Sequence, residues 1–224
     1  GILVGDRLYL FAFAVSPGGV FGFTIDGTVA IVIDNHADHP DRWNPQVYDF
    51  GIGGGNIDVH SALYEEGGFI YFLGRYNDGA RFRAILARME KSVLLAGGTA
   101  ADLQFLTAGK QWQSEPIDLE YLFTPGVSET GIQYSPEWDI YLITTYSPFE
   151  AEFSIVTAEE LAGPWTEPAC LYEVPEHSTV DFSIISYAVR PHPELSTRPG
   201  EVVISYATNS FGSIDPLYTP EGAG

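Results

Sequence analysis

Gly5-Asp6-Arg7-Leu8-Tyr9-Leu10-Phe11 puts a tight turn ahead of an aromatic β-run, and the same signal returns three more times. The later copies are Gly67-Gly68-Phe69-Ile70-Tyr71-Phe72-Leu73, Glu137-Trp138-Asp139-Ile140-Tyr141-Leu142-Ile143 and Gly200-Glu201-Val202-Val203-Ile204-Ser205-Tyr206. Their turns start 62, 70 and 63 residues apart. A sheet-forming unit that recurs in this way points to an all-β chain of the β-propeller class, in which blades surround a central channel. A second repeat runs beside the first. Trp43-Asn44-Pro45, Trp112-Gln113-Ser114-Glu115-Pro116 and Trp165-Thr166-Glu167-Pro168 each set a Trp shortly before a Pro, late in a unit. That pattern fits an outermost strand, where Pro is tolerated at a sheet edge and Trp can cover the seam between blades. These tryptophans are therefore read as packing residues rather than sugar platforms.

Short runs of aromatic and β-branched residues, divided by Gly, Pro and Asp, give the expected strands. They are Arg7–Val15, Thr28–Ile33, Phe69–Arg75, Phe82–Arg88, Ile140–Tyr146, Glu152–Thr157 and Val202–Ala207. Helical pattern is sparse: Glu159-Glu160-Leu161 is one turn at most, and Met89–Leu95 allows another. No low-complexity linker interrupts the chain, so residues 1–224 read as a single domain. About three and a half repeat units are recognisable. The first lacks an innermost strand, which is expected to precede Gly1, and the last ends in Leu217-Tyr218-Thr219-Pro220. Closure usually takes at least four blades. The expectation is a five-bladed type of propeller, incomplete at its N-terminus.

Composition narrows the partners. With 14 Phe, 13 Tyr and 4 Trp the chain leans towards β-structure. Only 10 basic residues stand against 30 acidic ones, a net charge of −20. Phosphate binding needs a basic footprint, so nucleic acid and anionic membrane are excluded as expected partners. The acidity itself serves solubility. Cys170 is the single cysteine, which rules out an internal disulfide, and its neighbours Ala169, Leu171 and Tyr172 suggest a buried thiol. No apolar run approaches the ~20 residues of a membrane span. The phosphate loop, nucleophile elbow, HExxH and CxxC motifs are all absent.

Three stretches could carry chemistry. In Asn56-Ile57-Asp58-Val59-His60-Ser61-Ala62, alternation puts Asp58 and His60 on one face and Ile57 and Val59 on the other. At the start of an innermost strand Asp58 and His60 would face the channel; the rival reading makes Asp58 a turn cap after Gly53-Gly54-Gly55. In Ser128-Glu129-Thr130-Gly131, Glu129 stands 12 residues before Tyr141, much as Asp58 stands 13 before Tyr71. The two carboxylates read as equivalent positions on neighbouring blades. In Tyr187-Ala188-Val189-Arg190-Pro191-His192-Pro193, two prolines fix the backbone around His192, which could touch a sugar or ligate a metal. Asn209 could complete that wall. No metal site is assigned, because no second ligand has helpful spacing. Asp34-Asn35-His36-Ala37-Asp38-His39-Pro40-Asp41 lacks the order of a calcium loop and reads as a solvated loop.

At these residues the chain resembles the five-bladed β-propeller glycoside hydrolases, the arabinanase and β-xylosidase-like group. Asn56-Ile57-Asp58 followed by Glu65-Glu66-Gly67-Gly68-Phe69 looks like that group's Ile-Asp-Pro segment and acidic hairpin, with Val59 in place of the proline. Ser128-Glu129-Thr130 looks like the segment of the general acid, and Leu161-Ala162-Gly163-Pro164-Trp165 like an outer-strand motif. His192-Pro193-Glu194-Leu195 and Gly200–Ser210 resemble a bacterial family, domain of unknown function 4185, some of whose members are endo-acting D-arabinan hydrolases.

The resemblance implies hydrolysis of a furanoside-containing polysaccharide. Glu129 would be the general acid, Asp58 would raise its pKa by like-charge repulsion, and His60, His192, Tyr187 and Asn209 would bind substrate. The family's base, an Asp on the first blade's inner strand, would lie ahead of Gly1. No cofactor is expected, with allowance for a structural calcium. A carbohydrate substrate, a monomeric state and an extracellular or periplasmic place complete the expectation. Two other readings are a non-catalytic carbohydrate-binding propeller and a protein-interaction propeller whose acidic surface meets a basic partner.

Overall fold

Turn chemistry builds this chain hairpin by hairpin. The computed structural model describes residues 1–19, 22–147, 150–176 and 184–210. The chain end Leu217–Pro220 lies outside the described residues. Four antiparallel sheets are present among them, and in each the strands lie in sequence order. The first sheet holds β1 (Ile2–Val4), β2 (Arg7–Pro17), β3 (Phe23–Ile33) and β4 (Gln46–Asp49). The second holds β5 (Ile57–Glu66), β6 (Phe69–Asn77), β7 (Phe82–Glu90), β8 (Gln104–Thr107) and β9 (Gln111–Gln113). The third holds β10 (Ile132–Ser135), β11 (Ile140–Tyr146), β12 (Glu152–Ala158) and β13 (Ala169–Glu173). The fourth is the pair β14 (Ile184–Pro191) and β15 (Ile204–Ser210). A short helix, α1 (Lys91–Leu95), follows β7 within the stretch expected to be helical, while Glu159-Glu160-Leu161 forms only bends and a turn.

The repeated turns close as their residues require. Glu66 pairs with Phe69 around Gly67 and Gly68, both at positive φ (58° and 84°), a conformation that glycine adopts without a Cβ clash. Val4 pairs with Arg7 around Gly5, at φ 60°. The first sheet thus begins with Ile2–Val4, paired ahead of the Gly5 turn, which corrects the expectation that this first strand lies before Gly1. Ile2–Val4 folds back on Arg7–Tyr9 because a two-residue turn leaves it directly opposite. In the third copy Ser135 meets Ile140 across a longer loop, with Asp139 at φ 55°.

The chain divides into two compact units, residues 1–121 and 122–224. In the first unit, Val4, Tyr9, Ala30 and Phe50 share one core with Val59, Ile70, Phe72, Ile85 and Met89 of the second sheet. Phe50 stacks on Phe72 at 5.7 Å between ring centres, and Phe11 meets both edge-on at 5.0 and 5.4 Å. Arg7 donates to the carbonyl of Leu95 at 3.0 Å, satisfying a carbonyl at the end of α1. In the second unit Val127, Tyr146, Phe153, Val174 and Val189 form the core, with Tyr187, Ile204 and Tyr206 packed against it.

The three tryptophans sit at or just before the outermost strands, as their Pro neighbours suggest. Trp112 lies in β9, edge-on to Tyr71, with the Arg88 guanidinium 4.2 Å from its ring centre. Trp43 lies three residues before the start of β4 and donates to the carbonyl of Asp38 at 3.0 Å. Trp165 precedes β13 and donates to that of Leu161 at 3.1 Å. One burial expectation fails. Cys170 lies in the outermost strand β13, all five of whose residues are exposed. Its apolar neighbours misled because an edge strand packs little of either face. Desolvation and the carboxylate of Glu152 push its thiol above the ordinary value, away from nucleophilic behaviour.

One backbone approach fixes the second sheet. Between the pairs Asp58–Arg75 and Ala62–Leu73, β5 takes two residues more than β6. This irregularity presses the backbone of Asp58 and Val59 onto Gly74. A Cβ on Gly74 would collide with the carbonyl oxygen of Asp58 and come within 2.9 Å of the Cα of Val59. Gly74→Ala should therefore destabilise the protein by about 2–3 kcal/mol in urea unfolding, at the upper end of the usual cost of overpacking. Gly27→Ala, in β3 with open space at its Cβ, should change stability by no more than about 0.5 kcal/mol.

Candidate functional site

The head of β5 gathers charged and polar groups beside the first unit's core. Asp58 is only 7% exposed. Directly across the strand pair, the Nε of Arg75 donates to its Oδ2 at 2.8 Å, and the two side chains are 10% and 17% exposed. The Arg75 guanidinium also lies 4.3 Å from the ring centre of Phe82. Asp58 is thus a member of the strand, not a turn cap. The turn is made by the glycines themselves: Gly53 and Gly54 have φ of 119° and 75°. A Cβ on Gly53 would come 2.9 Å from Thr28 Oγ1, and one on Gly54 2.5 Å from the carbonyl of Ile25. An open cleft of about 630 Å³ lies immediately ahead of Asp58, walled by the Gly51–Ile57 segment, Tyr76 and Pro116.

His60 follows the expected alternation, with Ile57 and Val59 turned to the core. Its ring meets Phe13 edge-on at 4.3 Å, and its Nδ1 is 3.3 Å from the hydroxyl of the fully buried Thr28. Burial lowers the imidazole's pKa below its ordinary value; the nearby Asp58 charge only partly opposes this.

Glu129 belongs to the second unit, on an exposed bend ahead of β10. The backbone that follows it is pinned. The buried hydroxyl of Thr130 donates to the carbonyl of Thr144 at 2.6 Å, and that of Thr144 to the carbonyl of Val189 at 2.8 Å. Arg190 Nε donates to the carbonyl of Thr130 at 3.3 Å, and a Cβ on Gly131 would come 2.8 Å from Pro191. A hydroxyl ladder thus fixes the chain beneath an acid that itself faces solvent.

The other proposed binders are not brought together. Both ring nitrogens of His192 are engaged within the protein, Nδ1 with Glu194 at 2.8 Å and Nε2 with the Ser205 hydroxyl at 2.7 Å. The hydrogen bond from His192 holds the Glu194 carboxyl below its ordinary value. Tyr187 packs against the second core. Asn209 stands opposite Ile185 and accepts from its neighbour's backbone, Ser210 N, at 2.8 Å. His192 lies past the Pro191–Ile204 pair at the other end of the same ladder, about 20 Å away at strand rise. The wall expected from His192 and Asn209 together does not form, because the hairpin runs between them.

Among the described residues, no group of three or more His, Cys, Asp or Glu side chains is placed to hold a metal ion. The Asp34–Asp41 loop is organised by Asn35, which donates to Asp38 and to the carbonyl of Arg42 and accepts from Asn44. No helix of the described residues is long and apolar enough to cross a membrane.

Sequence reasoning missed Arg75, Thr28 and Phe13. A regular hairpin around Gly67-Gly68 would place Asn77 opposite Asp58; the two extra residues in β5 bring Arg75 there instead. The Tyr206 hydroxyl, which donates to Glu176 at 3.2 Å and is pushed to high pKa by burial, was missed as well.

Residues 1–223 match the family described as Domain of unknown function (DUF5005). The chain belongs to the DUF5005 family. That family, rather than domain of unknown function 4185, is the one whose pattern spans the sequence. No curated protein matches it. Among solved structures the DUF5005 chain is similar to the RS223 β-xylosidase, at 12% identity and a TM-score of 0.31, over 92% of this chain and 88% of that one.

Two outcomes follow from the head of β5. Asp58→Asn leaves a largely buried guanidinium without its counter-charge and should cost about 3 kcal/mol, read as a lower urea midpoint. Replacing both partners, Asp58→Leu with Arg75→Met, should recover part of that loss. His60 titrates lower in the folded chain than in the unfolded one, so the unfolded state binds more protons below about pH 6.5. Stability should therefore fall as pH drops through that window, and His60→Gln should flatten the fall. Urea midpoints measured at several pH values, beside an NMR titration of the imidazole, check this.

Proposed function

We propose that this chain is a carbohydrate-active propeller of the five-bladed type, with the sheets of its described residues as blades. In this reading it hydrolyses a glycosidic bond in a furanoside-containing polysaccharide. Glu129 is the general acid and protonates the leaving oxygen. Asp58 is the carboxylate that tunes it, and His60 binds sugar hydroxyls. No residue of the chain is assigned the role of base. The observation that carries the reading is the buried Asp58–Arg75 pair beside His60, at the head of an innermost strand and next to an open cleft. A buried charged pair contributes little net stability over apolar packing, and such a constellation in a concave setting is where function is first sought. With a polymeric substrate, the reading includes an extracellular or periplasmic location.

A second reading is favoured by Arg75 itself. A guanidinium 2.8 Å from Asp58 offsets most of the field that would raise the pKa of a neighbouring acid. A propeller that binds glycan without cleaving it needs no such field, and it keeps the same polar groups for hydroxyls.

Sugar release from arabinan and related furanoside polymers separates the two. Glu129→Gln should abolish release while unfolding within about 0.5 kcal/mol of the parent, as expected for an exposed side chain. If Asp58 tunes the acid, Asp58→Asn should also move the alkaline limb of the pH–rate profile to lower pH. Undiminished release by Glu129→Gln would remove Glu129 from the mechanism. Binding without release by the parent chain would favour the non-catalytic reading.

A further inference from the structure

The cleft ahead of Asp58 has a chemistry of its own. Its wall carries no charged side chain, although the chain as a whole bears a net charge of −20. One side is the glycine run, whose backbone amides and carbonyls are uncovered by side chains. Gly51 and Gly55 have open space where a Cβ would stand. Asn56, exposed at the rim, adds an amide that can both donate and accept. The rest of the wall is formed by Ile52, Ile57, Tyr76 and Pro116. Tyr76 is backed by Tyr121, stacked on it at 5.9 Å and 20° between planes. Tyr121 is 43% exposed and is steadied from a further side by the Arg83 guanidinium, 5.0 Å from its ring centre.

We infer that this cleft is a binding subsite for a neutral oligosaccharide, set beside Asp58 and holding a sugar unit next to the one at that residue. The inference rests on the carbohydrate reading above. A sugar ring presents hydroxyls around its edge and C–H groups on its faces. The amides of Gly53, Gly55 and Asn56 suit the first, that of Gly51 already donating to the Asp49 carboxylate at 2.9 Å, and the aromatic side, with Tyr76 stacked on Tyr121, suits the second. An anionic polymer meets no cation on this wall and is repelled by the acidic surface. The cleft volume of about 630 Å³ falls in the range of small-ligand sites.

The probe is a series of linear arabino-oligosaccharides, with polygalacturonate as the anionic control, and binding is read by calorimetry and by NMR shifts of the glycine amides. Gly55→Phe blocks the cleft at a position with ordinary φ and no protein atom near the Cβ. Tyr121→Ala removes the backing ring. Each should weaken binding about tenfold or more while the circular dichroism and urea midpoint of the Gly55→Phe variant stay near the parent's. Polygalacturonate should not bind. Arabino-oligosaccharides bound by the parent and equally by both variants would overturn the subsite and leave the carbohydrate reading standing. Absence of binding by the parent to any neutral glycan would overturn both. Polygalacturonate binding that competes at the same amides would overturn the assignment to neutral sugars.

Discussion

The crossing of β5 and β6 at Asp58 and Gly74 is the constraint around which the first unit is organised. The two extra residues of β5 bring the Asp58 backbone onto a residue without a side chain and put Arg75, not Asn77, across from its carboxylate. Everything polar at that end of the sheet follows. The guanidinium is held from one side by Asp58 and from the other by Phe82. His60, one alternation further on, is turned towards Thr28 and Phe13 of the first sheet. An ordinary ladder would have placed the same sequence in a different electrostatic setting.

The few cations of the chain are placed with similar economy. Arg7 meets Asp34, Arg83 meets Asp78, Lys91 meets Glu65 and Lys110 meets Glu120. Arg88 lies between the rings of Phe69 and Trp112 and donates to Gln104. These cations are thus taken up by nearby carboxylates and aromatic rings, and the chain as a whole stays acidic. Exposed pairs of this kind add little stability each. Their effect is on shape and on which ligands the surface turns away.

Much of the architecture was legible because its signals are local. Gly-Gly and Gly-Asp turns, the central strands Arg7–Val15, Phe69–Arg75 and Ile140–Tyr146, and the Trp-before-Pro outer strands all depend on residues a few positions apart. Strand ends were less legible: β3 begins at Phe23 rather than Thr28, and β15 at Ile204 rather than Val202. The site was legible in part. Alternation finds Asp58 and His60, but no local pattern announces an irregularity in β5, so the partner of Asp58 stayed hidden. His192 and Asn209 were joined by sequence proximity to one hairpin, and that hairpin's length holds them apart. Cys170 shows the same limit, since apolar neighbours signal burial only where a second layer covers the strand.

The strict sequence order of strands within each sheet bears on how the molecule acquires its structure. Among the described residues every strand pairs with the one before it or after it, so ladder formation there closes only short loops, at small entropic cost per step. Such a topology can zip outward from its tight turns, and hairpins of this kind form on a microsecond scale. Gly67-Gly68 and Gly5-Asp6 are natural starting points, and each sheet can be completed from the stretch of chain that encodes it. A ribosome delivering the chain from its N-terminus would thus release sheets one after another, each able to pair its strands before the next is made.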